Sequence, residues 1–284
     1  MQNVIVFDID GILCWQRDVD LFDFDELKIN HPDCHLIVFP MIEAGYIHCF
    51  VPYLDVLMNY LINTGSRIAF FSAGSESRNI VVISELLIKL FGEVRYQELK
   101  DAGQFNIFSG HQMRSANSQL GEECTTHVKD LNIVLEGNET ILDAILIDDQ
   151  PRYVAHNQTP CIVGIVLEDL LENFRQDNFS KNAVYYLLGV FSNYFNDNQD
   201  SLPIRVWMKN FFLEHTDYNI IYSNLYLSHD FFIPEKNNKF VLQLIQQGLQ
   251  EVQKTYPDAM LYGQQEKISV ANKRFPPSKL KITI

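Results

Sequence analysis

The chain has 284 residues, 47% of them hydrophobic and 20% charged, with a formal net charge of −14. That length suffices for a full buried core in one large domain or two smaller ones, and that acidity excludes a nucleic-acid binder, which needs a basic face. The five cysteines are widely spaced, none in a C-x-x-C pair and none six residues ahead of an arginine, which excludes a disulfide framework, a cysteine zinc site and a thiolate-arginine phosphate cradle, and points to a reducing, cytoplasmic compartment.

In chain order, Val4-Ile5-Val6-Phe7 has the length and composition of a buried strand. It stops on Asp8-Ile9-Asp10-Gly11, so two acids two residues apart leave the sheet on the same side. Residues 14–35 read as polar and irregular. Leu36–Phe39 and Tyr46–Phe50 read as two strands of a hairpin flap. Apolar residues three and four apart predict a helix over 53–63, with Gly65 as its stop. Arg67–Phe71 reads as the next buried strand, ending at Ser72-Ala73-Gly74. A helix is predicted over 76–91 with Ile80, Ile83, Leu86, Leu87 and Leu90 on its core stripe.

Phe105–Phe108 reads as half of a small hairpin. Ile141–Ile147 is an apolar run that ends on Asp148-Asp149, and Cys161–Val166 is a further strand. This alternation predicts βαβ units and a mainly parallel, α/β Rossmann-like sheet over residues 1–175. From 176 to 284 the texture changes, and helices are predicted over 182–195, 202–213 and 238–255 in a mostly helical second domain or appendage. Residues 235–284 hold eight lysines and arginines against four acids, so a basic tail on an acidic body is offered to an anionic membrane or an acidic partner, or is a solvated face. No apolar run reaches membrane-spanning length.

Three strand ends therefore carry chemistry: Asp8 and Asp10, Ser72, and Asp148 with Asp149. Convergent carboxylates at the carboxyl edge of a parallel sheet can hold a divalent cation, attack as nucleophile and move protons. A phosphorylated site also needs a fixed cation for its oxygens. Lys129, in Val128-Lys129-Asp130-Leu131 just before the strand of the second acid pair, fits that role, with Lys100 as a rival. Taken alone, Ser72 also reads as a helix cap, Asp149 as a cap, Lys129 as a surface lysine, and His48, His111, His127, His156 and Tyr153 as ordinary surface or core residues. Asn138-Glu139-Thr140 is a sequon left unused in a reducing compartment.

In this order the residues resemble the four motifs of the haloacid dehalogenase superfamily: a strand ending in D-x-D-G (Asp8–Gly11), a strand ending in Ser or Thr (Ser72), a downstream lysine (Lys129), and paired acids at a strand end (Asp148-Asp149). Val51–Leu57, Val128–Leu131 and Ile147–Tyr153 are similar to segments of the branch that dephosphorylates the RNA polymerase II C-terminal domain and related phosphoproteins. The chain departs from that branch at Ile12, where a Thr is usual, at Asp149, where an Asn is usual, and at Val51, where an Arg is usual.

The resemblance implies a Rossmann-like phosphatase fold and a Mg²⁺-dependent reaction. In it Asp8 attacks phosphorus, Asp10 handles the proton, Ser72 and Lys129 hold the phosphoryl oxygens, and Asp8, the Asp10 carbonyl, Asp148 and Asp149 hold the metal.

The gaps between Asp10, Ser72 and Lys129 leave room for a flap, a helix and a hairpin but not for a large folded lid. An open site of that kind suits a phosphoprotein. A small-molecule phosphatase covered by residues 176–284, or a phosphatase-like binding module with a lipid- or partner-binding tail, are the competing expectations. Export to act on host phosphoproteins is compatible with the sequence.

Overall fold

The structure is a computed structural model, and it describes residues 2–18, 35–38, 46–117, 125–149, 153, 158, 161–163, 182–197, 201–214, 231–232 and 239–261. Expectations about 39–45, 150–152, 164–166, His156 and the tail 273–279 fall outside these residues.

A six-stranded parallel sheet forms the centre, with strands β1 (Val4–Phe7), β5 (Arg67–Phe71), β6 (Phe105–Phe108), β9 (Ala144–Asp148), β10 (Cys161–Val163) and β11 (Phe231–Phe232) in the order β11-β10-β9-β1-β5-β6. β1 lies between β5 and β9, pairing Phe7 with Phe70 on one side and with Ile147 on the other. All four β1 residues are buried, as a central parallel strand covered on both faces requires. Ile5 and Phe7 face a large apolar core under the helices. Val4 and Val6 face a smaller one with Ala69, Phe71, Leu131, Val134 and Leu146. This is the α/β, Rossmann-like arrangement expected from the alternating runs.

The helices are α1 (Leu54–Asn63), α2 (Glu76–Phe91), α3 (Glu93–Asp101), α4 (Ala183–Asp197), α5 (Ile204–Glu214) and α6 (Lys239–Gln253). On α2 the core stripe holds Val82, Ile83, Leu86 and Leu87, whereas Ile80 is 45% exposed and does not belong to it. α3 was not expected. It buries only Tyr96 and Leu99, so its polar sequence carries little helical periodicity. β6 is a parallel edge strand beside β5 and not half of a hairpin. The hairpin is made instead by β7 (Arg114–Asn117) and β8 (Thr125–Val128).

The flap expectation holds in a larger form. β3 (His35–Val38) and β4 (Tyr46–Phe50) pair antiparallel, and β4 also pairs with β2 (Cys14–Asp18), within the stretch read as irregular.

The helices beyond residue 175 share the large core with α1. α4 and α6 cross closely because a Cβ at Gly189 would stand 2.0 Å from the Leu244 carbonyl oxygen, and one at Gly248 1.7 Å from that of Tyr185. α5 is tied to the amino end of β9, where Arg205 donates from Nε to the Ile141 carbonyl at 2.8 Å and from Nη2 to the Ala144 carbonyl at 2.9 Å. No helix among the described residues is long and apolar enough to cross a membrane.

Candidate active site

Three neighbouring strands, β9, β1 and β5, end at one edge of the sheet, and the next residues carry the polar groups. The Asp8 amide donates to the Ile147 carbonyl at 2.9 Å, which holds the end of β1 against the end of β9. The chain then folds back tightly. Gly11 donates to the Cys14 carbonyl at 2.9 Å, and Leu13 and Cys14 both donate to the Ile9 carbonyl at 3.0 Å. Gly11 has φ +81°, a region that residues with a Cβ avoid.

Asp8, Lys129 and Asp148 form a buried ion cluster. The Lys129 ammonium is 2.9 Å from Asp8 Oδ1 and 2.6 Å from Asp148 Oδ2, with no exposed surface of its own. Its backbone amide donates to the Tyr153 carbonyl at 2.7 Å, and its Nζ lies 5.3 Å from the centre of the Tyr153 ring. Asp130, next in the chain, caps the short 3₁₀ turn Leu131–Val134 by accepting from the Asn132 amide at 3.0 Å. Lys129 is therefore neither a surface lysine nor loosely held. Lys100, its rival, is exposed on α3 beside the Tyr96 ring and takes no part in this cluster.

Burial pushes the Asp8 carboxyl well above the usual carboxylate range; Lys129 pulls the other way, and Asp148 pushes it up again. Burial disfavours the Lys129 charge, but Asp148 and then Asp8 outweigh it and hold the ammonium above the usual lysine range. A carboxylate beside a permanently charged lysine, in a pocket dry enough to resist ionisation, is poised to gain from any further cation.

Asp8, Asp148 and Asp149 each offer one carboxylate oxygen within 4.8 Å of the others. Three hard oxygen donors at this spacing fit a divalent cation of the Mg²⁺ type. Asp149 also stands against Gly11, so this pair of motifs touches directly.

Asp10 and Ser72 form the other half. Ser72 Oγ donates to Asp10 Oδ2 at 3.1 Å and accepts from the Gly74 amide at 3.1 Å. Ser72 is not the cap of α2, since that position belongs to Ser75. The Asp10 side chain is 39% exposed and so opens to solvent where Asp8 and Asp148 do not.

Two residues without a role in the sequence reading join here. Arg78 on α2 forks onto both Asp10 oxygens, donating through Nη1 to Oδ2 at 2.6 Å and through Nη2 to Oδ1. His48 on β4 sits behind it, with Nε2 3.1 Å from Arg78 Nη2. A guanidinium can only donate, so Nε2 is the acceptor and the imidazole is neutral. Burial, and after it the Arg78 charge, lower the His48 pKa to about 4. The sequence held one signal for Arg78: a cation in the first turn of a helix faces the positive end of the dipole, so something else must hold it there.

No family model matches this chain, and no curated protein matches it. Among solved structures it is similar to the fission yeast RNA polymerase II CTD phosphatase Fcp1, in an arginine variant bound to beryllium fluoride, at 12% identity and a TM-score of 0.35. A second structure, of "Fcp1, an essential RNA polymerase II CTD phosphatase", matches at 12% identity and a TM-score of 0.36. Each match covers 97% of this chain and 67% of the other. At that distance the fold assignment rests on the strand order, and the site on its own geometry.

Proposed function

We propose that this chain is a phosphatase of the haloacid dehalogenase type that works through an aspartyl-phosphate on Asp8 and acts on a phosphoprotein. The observation that carries the reading is the buried Asp8–Lys129–Asp148 cluster beside the more open Asp10–Ser72 pair, all at the carboxyl edge of adjacent parallel strands. That edge is where open α/β sheets take their ligands.

Asp8, Asp148, Asp149 and the Asp10 carbonyl are the groups that would hold Mg²⁺. When bound, the ion offsets the charge of the acids and polarises a phosphoryl oxygen.

The chain's own residues perform the rest. A carboxylate oxygen of Asp8 forms a bond to phosphorus as the bond from phosphorus to the leaving oxygen breaks. The Asp10 carboxyl gives that oxygen its proton. Asp10, now a carboxylate, then takes a proton from water as the water oxygen attacks phosphorus and Asp8 departs. Lys129 and Ser72 oppose the charge that develops on the phosphoryl oxygens.

A phosphoprotein substrate is supported by the exposure of the Asp10 side chain beside Ser72. The described insertions near the site are the β2-β4-β3 sheet and the β7–β8 hairpin. The α5 helix docks at the opposite, amino end of β9. The exposed Asp10 carboxyl is the part of the site that a phosphate presented on a large partner would meet first.

The test is hydrolysis of p-nitrophenyl phosphate with and without Mg²⁺, followed by a panel of phosphopeptides and phosphometabolites. Activity that needs Mg²⁺, vanishes in Asp8→Asn, and favours phosphopeptides is expected. An Asp8→Asn protein that keeps wild-type turnover overturns the mechanism, and a preference for phosphometabolites overturns the substrate class.

A further inference from the structure

Arg78 stands beside the Asp10–Ser72 pair and is engaged with Asp10. Its fork takes both Asp10 oxygens, and Nη1 lies 3.5 Å from Ser72 Oγ, the hydroxyl assigned to the phosphoryl group. While its fork stays on Asp10, Arg78 cannot offer the same N–H groups to a phosphoryl oxygen.

We propose that Arg78 exchanges partners during the reaction: it forks onto Asp10 in the resting protein, then passes that fork to two oxygens of the incoming phosphoryl group, so that the Asp10 side chain is free to turn toward the leaving oxygen. This inference rests on the phosphatase reading.

Three observations support the exchange. The planar guanidinium fork matches a phosphoryl group as well as it matches a carboxylate. The charge balance also demands it. Asp8, Asp10, Asp148 and Asp149 face the site, and Lys129 is already shared by two of them. Among the described residues, Arg78 is the cation placed at the open side, where an anionic substrate must enter.

Finally, the guanidinium is braced from behind and beside, by His48 Nε2 at 3.1 Å and by Asn79 Oδ1 at 3.0 Å. Gly74 leaves it room: a Cβ there would lie 2.7 Å from Arg78 Nη1. The support from His48 and Asn79 does not depend on Asp10, so the arginine can change its front partner without losing its place.

The experiment measures inorganic phosphate binding by calorimetry, with Mg²⁺ present, and p-nitrophenyl phosphate kinetics, for wild type, Arg78→Lys and Arg78→Gln, with circular dichroism as the folding control. Loss of two charge-assisted hydrogen bonds predicts phosphate affinity weaker by about tenfold or more in Arg78→Gln, with KM raised in parallel. Arg78→Lys keeps the charge without the fork and should fall between the two. Free guanidinium should partly restore phosphate binding to Arg78→Gln.

A structure with a phosphate mimic should show Arg78 on the mimic's oxygens and Asp10 no longer forked. If phosphate affinity and KM stay at wild-type values while kcat alone falls, Arg78 only orients Asp10 and the exchange is wrong. If the wild-type protein with Mg²⁺ neither binds phosphate nor hydrolyses the aryl phosphate, the phosphatase reading fails and takes this inference with it.

Discussion

Gly11 and Asp149 are in contact across 138 residues of sequence: a Cβ built on Gly11 would stand 2.7 Å from Asp149 Oδ2 and 2.8 Å from its Cγ. The tight loop after β1 and the acid pair after β9 thus define one wall of the site together, and the glycine is needed both for its φ of +81° and for the room it leaves.

Gly11→Ala should consequently displace the Asp149 carboxylate and strain the loop. We expect a loss of about 1–2 kcal/mol in stability, and a larger proportional loss of Mg²⁺ affinity. Urea unfolding and a Mg²⁺ titration monitored by calorimetry measure the two. An unchanged Mg²⁺ affinity would remove Asp149 from the metal site.

Lys129→Met should destabilise the fold, because Asp8 and Asp148 lose their buried counter-charge. Removing one partner of a buried ion pair costs about 3 kcal/mol at neutral pH. The sign of the pH dependence follows from Asp8, whose carboxyl is already raised by burial and held down by Lys129. Without the lysine its folded pKa rises further above its unfolded value, so stability falls as pH rises between the two. The gap between variant and wild type should therefore widen from pH 5 to pH 8 and shrink when Mg²⁺ is added. Urea midpoints at the two pH values decide this; a gap that narrows with rising pH contradicts the charge assignment.

His48 supplies an acid-side prediction. Its pKa falls from 6.5 when unperturbed to about 4 in the fold. A depressed folded pKa gives stability that is complete above 6.5 and is lost as pH falls toward 4, because the unfolded chain takes the proton first. The shift corresponds to at most roughly 3 kcal/mol. His48→Gln keeps an acceptor for Arg78 but does not titrate, so it should flatten the loss between pH 6.5 and 4. Thermal unfolding of both proteins across that range tests it, and identical curves would place the acid sensitivity elsewhere.

Much of the site was legible because strand ends are written locally. Asp8 and Asp10 follow an apolar run, Ser72 follows another, and Asp148-Asp149 a third, so each residue's place in the sheet follows from its neighbours. The helices α1, α2, α4 and α6 were legible for the same reason, from apolar periods of three and four.

Failures came where local pattern carries no such information. Phe105–Phe108 has the same four-residue composition whether it pairs in a hairpin or parallel to β5. β11 is two residues long. α3 is polar on nearly every side. Ile80 lies next to the buried stripe of α2 but faces outward.

The sequence by itself determined which residue types stand at the ends of the strands and in what order, since apolar runs, turn glycines and helical periods act over a few residues. Only the tertiary structure decided that Lys129 is enclosed between Asp8 and Asp148, that Asp149 rests on Gly11, and that Arg78 grips Asp10 with His48 behind it. Those pairs are separated by 19 to 138 residues. Their distances depend on the order in which β9, β1 and β5 are laid side by side, and that order is set by burying the whole sheet at once.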